Sequence, residues 1–216
     1  MSRDGLPYEA LRIPAHAAGM TIGLYGGSFN PPHAAHEHVA STALTRLGLD
    51  RVWWLVTPGN PLKSHDELAS LADRMAAVKQ LADHPRFVIT ALEAGHGLTF
   101  SADTVSFLRK RCAGVRFVWI MGADNLAGFH RWQSWRDIVE TVPIAIVDRP
   151  GSSLAPLSAP MAQIYSGARV DEASVKGLAW REAPAWTFLH APRSHLSSTE
   201  IRQRTKVKSA EIGGLS

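Results

Sequence analysis

Six short apolar runs, separated by segments with helical spacing, decide much of how this chain can fold. The runs are rich in β-branched and aromatic residues and almost continuously apolar, as expected for strands that are covered on both faces. They span residues 20–25, 51–56, 86–92, 116–121, 143–148 and 186–190. Apolar positions at helical spacing predict helices over residues 34–48, 67–83, 101–112 and 134–141. Strands alternating with helices predict one α/β domain with a doubly wound parallel sheet and helices on both faces.

The ends of the chain and one internal stretch depart from this alternation. Residues 1–19 contain no continuous apolar segment and predict a loose leader, and residues 205–216 predict a frayed tail. Residues 150–185 are rich in Pro, Ser and Gly, which favours a loop-rich excursion with one short helix over a second domain. The α/β domain is therefore expected over residues 20–204.

Charge and cysteine content limit the partners and the compartment. The formal charge is +4, and basic residues cluster only at residues 109–111 and in the tail after Arg202. A nucleic-acid binder usually shows a basic stripe with a recognisable module, and neither is found, so small anionic substrates are favoured. Cys112 is the only cysteine, which excludes an internal disulfide and fits a reducing cytoplasm. No run reaches the roughly 18 apolar residues of a membrane span. We expect a cytoplasmic protein that binds neither nucleic acid nor membrane, with its oligomeric state open.

The stretch YGGSFNPPHAAHEH, residues 25–38, leaves the first predicted strand at its carboxyl end, where doubly wound sheets bind ligands. Gly26 and Gly27 permit unusual backbone conformations and the close approach of a ligand. A helix is expected to begin near His33, and its unpaired N–H groups would attract an anion. His33 and His36 lie three residues apart on one face of this helix, which suits hydrogen bonding to a phosphate.

Other interpretations of this stretch stay open. A His-x-x-His pair can hold a metal, although no third histidine or carboxylate lies at a suitable spacing. The same residues can also be a glycine turn followed by incidental surface histidines. The dinucleotide fingerprint G-x-G-x-x-G is excluded because its second and third glycines are missing, which disfavours a plain NAD-binding dehydrogenase.

The stretch HLSSTEIRQR follows the last predicted strand and forms a second candidate anion site. Ser197 and Glu200 have the spacing of a capping box, which predicts that a helix begins here. Ser198, Thr199 and Arg202 would then offer two hydroxyls, free N–H groups and a guanidinium. The alternative is a capped terminal helix with a solvated arginine, and the carboxylate of Glu200 slightly favours that alternative.

Together the two stretches resemble the nucleotidyltransferase superfamily, which is marked by G-x-F-x-P-x-H-x-x-H and S-S-T-x-I-R. The matching segments here run from Gly27 to His36 and from Ser197 to Arg202. Within the superfamily, the chain resembles the nicotinate-nucleotide adenylyltransferase family over about residues 20–204. Four inner segments carry this narrower resemblance: TPGNPLK (57–63), LTFSADT (98–104), GADNLAGFHRWQSW (122–135) and DRPG (148–151). The resemblance implies a Rossmann-like fold.

The resemblance also implies a reaction. The chain would transfer the adenylyl group of ATP to nicotinate mononucleotide, giving nicotinate adenine dinucleotide and pyrophosphate in NAD biosynthesis. The attack would be direct and in line, without a covalent enzyme intermediate, and Mg²⁺ would be bound mainly through the phosphates rather than by protein ligands. The alternatives are nicotinamide mononucleotide or phosphopantetheine as the acceptor, or a non-catalytic nucleotide-sensing module.

Site residues follow from the same resemblance. The residues expected to be catalytic are His33, His36 and Arg202. The residues expected to bind ATP are Gly26, Gly27, Ser28, Phe29, His33, His36, Arg149, Ser197, Ser198, Thr199 and Arg202. The residues expected to bind nicotinate mononucleotide are Lys63, Thr99, Asp103, Asp124 and Trp132. For the acceptor set, other roles stay open: helix packing by the tryptophan, helix capping by Asp103 and a solvated loop position for Lys63.

Two positions depart from the family pattern. Ala35 stands where the family usually has glycine, and its methyl group is expected to crowd a nucleotide that lies close to it. Asn30 stands where aspartate is often found, which removes one negative charge beside the phosphates. Both departures concern the geometry of the site more than the reaction.

Overall fold

The computed structural model describes residues 5–59, 68–148 and 158–190. In these ranges six strands form one sheet in which all neighbouring strands are parallel, in the order β3-β2-β1-β4-β5-β6. The strands are β1 Thr21–Gly27, β2 Arg51–Val56, β3 Phe87–Thr90, β4 Arg116–Gly122, β5 Ile144–Val147 and β6 Trp186–Leu189. The order reverses between β1 and β4, so the chain winds outward from the middle of the sheet in both directions. The predicted doubly wound, Rossmann-like α/β fold is confirmed.

Four of the α-helices lie where the apolar spacing predicts helices, over residues 34–46, 71–81, 101–111 and 135–141. The α-helices in the described ranges are α1 Ala34–Arg46, α2 Leu71–Leu81, α3 Leu92–His96, α4 Ser101–Arg111, α5 Ala123–Phe129, α6 Trp135–Thr141 and α7 Pro160–Ile164. Turns of 3-10 helix occur at Tyr8–Leu11, Ser166–Ala168 and Glu172–Trp180. The described part of the stretch predicted as a loop-rich excursion therefore contains more helical turns than the single short helix expected. The last of these turns begins after Asp171, whose side chain accepts a hydrogen bond from the main-chain N–H of Ala173.

The core consists of two layers, one on each face of the sheet. Trp53 faces the layer that includes α4 and α6, whereas its neighbour Trp54 faces the layer that includes α1 and α2. Phe117 and Val118 divide between the two layers in the same way. Because successive side chains of a strand point to opposite faces, a strand covered on both sides is apolar at every position. This packing explains why the strands are visible as continuous apolar runs in the sequence.

The N-terminal segment is packed against the sheet over residues 5–19, contrary to the loose leader predicted there. Leu6 is buried, and the carbonyl of Ala10 accepts hydrogen bonds from the main-chain N–H of Ala91 (2.8 Å) and from the hydroxyl of Thr90 (3.0 Å). The 3-10 turn Tyr8–Leu11 places Ala10 beside the end of the edge strand β3. Main-chain hydrogen bonds and one buried leucine hold this segment, so its packing does not require a long apolar run. The predicted tail lies outside the described residues. None of the helices in the described ranges is long and apolar enough to cross a membrane.

Candidate active site

A cavity of about 440 Å³ opens at the carboxyl ends of the central strands, beside the reversal of strand order between β1 and β4. Parallel strands bring their following loops to one edge of the sheet, and the reversal leaves a crevice between those loops. The lining is formed by residues 25–31, His33, His36, Thr57, Gly59, Glu93, residues 99–101, Asp124, Asn125 and residues 131–133. Segments that are distant in sequence therefore meet around one space.

His33 and His36 line the cavity at the beginning of α1. His33 is the N-cap residue, and its main-chain N–H donates a hydrogen bond of 3.1 Å to Nδ1 of His36. Because Nδ1 of His36 accepts this bond, the neutral ring carries its proton on Nε2. The two imidazole rings lie 3.8 Å apart between centroids, and the ring of Phe29 packs edge-on against His36 at 5.2 Å. The first turn of α1 thus holds both imidazoles at the cavity.

Gly26 and Gly27 do not have the unusual backbone predicted for them, whereas the predicted close approach of a ligand to them stays a prediction. Both lie in regular strand β1, and neither has a positive φ. An added Cβ at Gly26 would lie 3.0 Å from the ring of Trp119, and one at Gly27 would lie 3.0 Å from the ring of Phe29. The packing favours glycine here because aromatic rings lie directly against a main chain of regular strand conformation.

The unusual backbone belongs to Phe29, which has a φ of 47°. A non-glycine residue rarely adopts this left-handed conformation, so surrounding contacts must hold it. The ring of Phe29 is 2% exposed and packs against Tyr25 at 5.4 Å and Trp54 at 5.2 Å between centroids. Burial of this ring fixes the turn between β1 and α1, and Ser28 lies on the turn at the cavity.

Glu93 also lines the cavity and was not predicted from the sequence. Its side chain is 4% exposed, and its Oε1 accepts a hydrogen bond of 2.7 Å from the hydroxyl of Thr104. Burial raises the pKa of Glu93 to about 7, and the hydrogen bond from Thr104 only partly opposes that rise. A carboxyl group that is close to half protonated near neutral pH therefore lines a cavity rich in polar groups.

The residues predicted for the acceptor nucleotide divide into two groups. Thr99, Asp124 and Trp132 line the cavity. Asp103 does not line it and is exposed in the first turn of α4, whose N-cap residue is Phe100. Binding of a substrate by Asp103 stays a prediction that this placement does not favour, and capping by Asp103 is excluded.

Trp132 is half-buried and positioned by other aromatic rings. It packs edge-on against Phe129 at 5.2 Å and against Trp119 at 6.3 Å between centroids. Trp135 is 7% exposed and belongs to the core on α6. Of the two tryptophans in this segment, Trp132 is the one at the cavity, and the other serves helix packing.

The two departures from the family pattern have separate outcomes. Ala35 does not line the cavity, so the expected crowding by its methyl group finds no support in the structure. Asn30 lines the cavity, and its Oδ1 accepts a hydrogen bond of 3.3 Å from the main-chain N–H of Ala69. Asn30 thereby joins the turn after β1 to the segment that precedes α2.

Further residues at the cavity were not predicted from the sequence. Phe100 and Ser101 lie where α4 begins, and Asn125 and Arg131 lie within the segment that also contains Asp124 and Trp132. Arg74 on α2 is 2% exposed and binds the main chain of two cavity loops. A charged residue inside an apolar helical stripe was the available signal for Arg74.

Several predicted site residues lie outside the described residues. They are Lys63, Arg149, Ser197, Ser198, Thr199 and Arg202. Their roles stay predictions. Of the two predicted anion sites, the described residues include only the one at His33, so the arrangement of both sites around one triphosphate also stays a prediction.

Comparison with known proteins identifies relatives over most of the chain. Residues 24–204 match the family described as cytidylyltransferase-like. A protein of Rhizobium meliloti (strain 1021) named "Probable nicotinate-nucleotide adenylyltransferase" is 60% identical over 183 residues, which is 85% of this chain and 97% of the relative. A protein of Agrobacterium fabrum with the same name is 57% identical over 188 residues, covering 87% of this chain and 100% of the relative.

Solved structures show a similar fold. The nicotinic acid mononucleotide adenylyltransferase of Plasmodium falciparum, complexed with NaAD, has a TM-score of 0.60 at 18% identity and covers 85% of this chain and 83% of its own. The same protein complexed with APC has a TM-score of 0.54 at 16% identity, with the same coverage of both chains. At this identity the likeness bears on the architecture, which agrees with the sheet order described above.

Proposed function

We infer that this chain, which belongs to the nicotinate-nucleotide adenylyltransferase family and to the broader cytidylyltransferase-like family, transfers the adenylyl group of ATP to nicotinate mononucleotide. The products are nicotinate adenine dinucleotide and pyrophosphate, and the reaction belongs to NAD biosynthesis. The supporting observation is that one cavity brings together the histidine pair at the start of α1 with Thr99, Asp124 and Trp132. A cytoplasmic location stays a prediction from the cysteine content.

The chemistry requires positioning more than a protein nucleophile. An oxygen of the nicotinate mononucleotide phosphate attacks the α-phosphorus of ATP and forms a new P–O bond. The bond between the α-phosphorus and the oxygen that bridges it to the β-phosphorus breaks, and pyrophosphate leaves with that oxygen. Holding the two substrates in line and stabilising the added charge supply the rate enhancement.

His33 and His36 are proposed to bind the ATP phosphates. The hydrogen bond to Nδ1 of His36 leaves its N–H on Nε2, and a donor held in one orientation stabilises charge more effectively than a mobile one. The first main-chain N–H groups of α1 add partial positive charge at the same place. The proposed roles of Ser198, Thr199 and Arg202 on the leaving pyrophosphate rest on the sequence resemblance.

The acceptor is proposed to bind on the opposite side of the cavity. Trp132 offers a ring on which a pyridine can stack, and Phe100, which is 37% exposed, offers a second apolar surface. The hydroxyl of Thr99 and the first N–H groups of α4 can donate hydrogen bonds to the nicotinate carboxylate. A carboxamide fits such donors poorly, because it presents one acceptor oxygen and its own N–H groups.

Mg²⁺ is proposed to bind chiefly through phosphate oxygens and water. Among the described residues, no group of three or more His, Cys, Asp or Glu side chains is arranged to hold a metal ion, and Asp124 is an exposed carboxylate at the cavity. Mg²⁺ commonly keeps several waters and takes only one or two carboxylates, so this donor set fits the ion. When bound, it would neutralise charge on the triphosphate.

The reaction is tested by measuring pyrophosphate release from ATP with three acceptors: nicotinate mononucleotide, nicotinamide mononucleotide and phosphopantetheine. We expect turnover to be greatest with the nicotinate form. An equal or greater rate with either of the other acceptors would overturn the choice of substrate. No release with any of the three would favour the non-catalytic nucleotide-sensing module.

The role of His36 is tested with His36→Asn, which keeps an acceptor near the Nδ1 position and removes Nε2. Loss of one charge-stabilising donor should lower kcat by ~10²–10³-fold. His84→Asn is a matched control, because Nδ1 of His84 also accepts a main-chain N–H at 3.1 Å and its ring packs against Phe87 at 4.9 Å, outside the cavity. Equal kcat values for the two variants would contradict the role assigned to His36.

A further inference from the structure

Arg74 is a buried cation, and its hydrogen bonds to other described residues all go to main-chain carbonyls. Its Nε donates to Ala69 (2.9 Å), its Nη1 donates to Ser28 and Thr57 (both 2.8 Å), and its Nη2 donates to Pro58 (3.0 Å). Burial lowers its pKa from the ordinary value. Within the ranges that the structure describes, no carboxylate forms an ion pair with it. A buried charge that is met only by main-chain carbonyls among these residues is costly, so a neutral residue would be the expected choice if packing were the only requirement.

Three of the four carbonyls that Arg74 binds belong to two loops at the cavity. Ser28 lies on the turn between β1 and α1, and Thr57 and Pro58 follow β2. Ser28, Thr57 and Gly59 all face the cavity. Apart from Arg74, these loops are joined by the hydrogen bond of 3.0 Å from the main-chain N–H of Thr57 to the carbonyl of Gly27. One guanidinium therefore fixes the spacing between two walls of the site.

The fork of a guanidinium explains why arginine stands here. Its planar group donates in fixed directions, and at this position Nη1 reaches carbonyls of both loops at once. Carbonyl oxygens that accept bonds from Arg74 have their negative ends directed to the guanidinium, which favours an anionic ligand beside these loops. A lysine ammonium would keep the charge but could not keep four bonds in this planar arrangement.

We propose that Arg74 is a positioning residue for the transfer reaction, holding the Ser28 turn and the Thr57–Pro58 loop in the geometry that receives the ATP phosphates. The proposal rests on the proposed function of the cavity. Arg74 does not line the cavity and does not touch substrate. Its effect is expected on binding and alignment of ATP and much less on binding of the acceptor near Trp132.

The test compares Arg74→Lys and Arg74→Met with the unchanged full-length chain, using Arg86→Lys as a control. Arg86 also donates from Nη1 to a carbonyl, that of Leu49 at 3.1 Å, but it precedes β3 at the amino end of the strand and does not line the cavity. For each variant we would measure kcat, KM for ATP, KM for nicotinate mononucleotide, calorimetric binding of a non-hydrolysable ATP analogue, and the thermal midpoint.

A misplaced reaction geometry costs up to about 10²-fold, so we expect Arg74→Met to lower kcat/KM for ATP by roughly that factor. Arg74→Lys should lower it by about tenfold, with ATP-analogue binding weakened in both and KM for nicotinate mononucleotide changed less than about threefold. Arg86→Lys should leave all constants unchanged.

A purely structural role has a different signature. Folded Arg74→Lys with an unchanged KM for ATP, unchanged analogue binding and a lowered thermal midpoint would overturn the proposal. If Arg74→Met does not fold, the lysine variant alone decides between the two results. Failure of the proposed function gives a different result, namely no turnover in the unchanged chain. In that case, binding of the ATP analogue still shows whether Arg74 organises the two loops.

Discussion

Glu93→Gln is expected to stabilise the protein at alkaline pH and to remove part of its pH dependence. The carboxyl of Glu93 is 4% exposed and has a pKa of about 7, against an ordinary value of 4.5. Between those two values the folded protein binds a proton that the unfolded chain has released, so stability falls as the pH rises through this window. At 1.36 kcal/mol per pKa unit, the full cost of ionising Glu93 in the folded state is about 3 kcal/mol.

Glutamine preserves the shape of the side chain and the acceptor for the hydroxyl of Thr104, which donates to Oε1 at 2.7 Å. Urea unfolding of both proteins at pH 5, 6, 7 and 8 measures the difference in unfolding free energy. Between pH 5 and pH 8, the unfolding free energy of the variant relative to the unchanged chain should rise by about 2 to 3 kcal/mol. Glu182→Gln makes the same substitution at an exposed position and serves as a control. A pH-independent difference for Glu93→Gln would refute the reasoning.

Three further outcomes test other parts of the structure. Trp132→Ala should raise KM for nicotinate mononucleotide about tenfold in steady-state assays while KM for ATP stays within about twofold, since the stacking surface is lost. Gly95→Ala should destabilise the chain by ~1–3 kcal/mol and hasten proteolysis of the N-terminal segment, because its new Cβ would overlap the carbonyl oxygen of Leu11. Burial alone would raise the pKa of Glu172, but hydrogen bonds from His190 and Arg46 hold it below its usual value. Glu172→Gln should therefore lose less unfolding free energy than the unchanged chain between pH 5 and pH 3.

The fold was predictable because the strands are covered on both faces. Burial at every position of a strand leaves a continuous apolar run, and the run at residues 51–56 coincides with β2 as observed. The N-terminal segment was not predictable in this way. It is held by main-chain hydrogen bonds to the end of β3 and by one buried leucine, and neither leaves a periodic pattern.

The candidate site was predictable on the side that carries a motif. His33, His36 and the turn before them follow a strand directly, so their place at the sheet edge follows from local order. Glu93 and Arg74 were not predicted, because their importance depends on hydrogen-bond partners that lie outside their own helices. These hydrogen-bond partners are brought together by the packing of helices on the sheet, and that packing cannot be read from a single sequence.

The contact between the main chain of Gly26 and the ring of Trp119 has a consequence for any redesign of this protein. Gly26 lines the cavity, whereas Trp119 lies in the core on the adjacent strand β4, so volume added at Gly26 must be accommodated by the ring of Trp119. A larger residue at Gly26 is therefore best combined with a smaller residue at Trp119. A substitution at either position alone would disturb the packing of the apolar layer that contains Trp119.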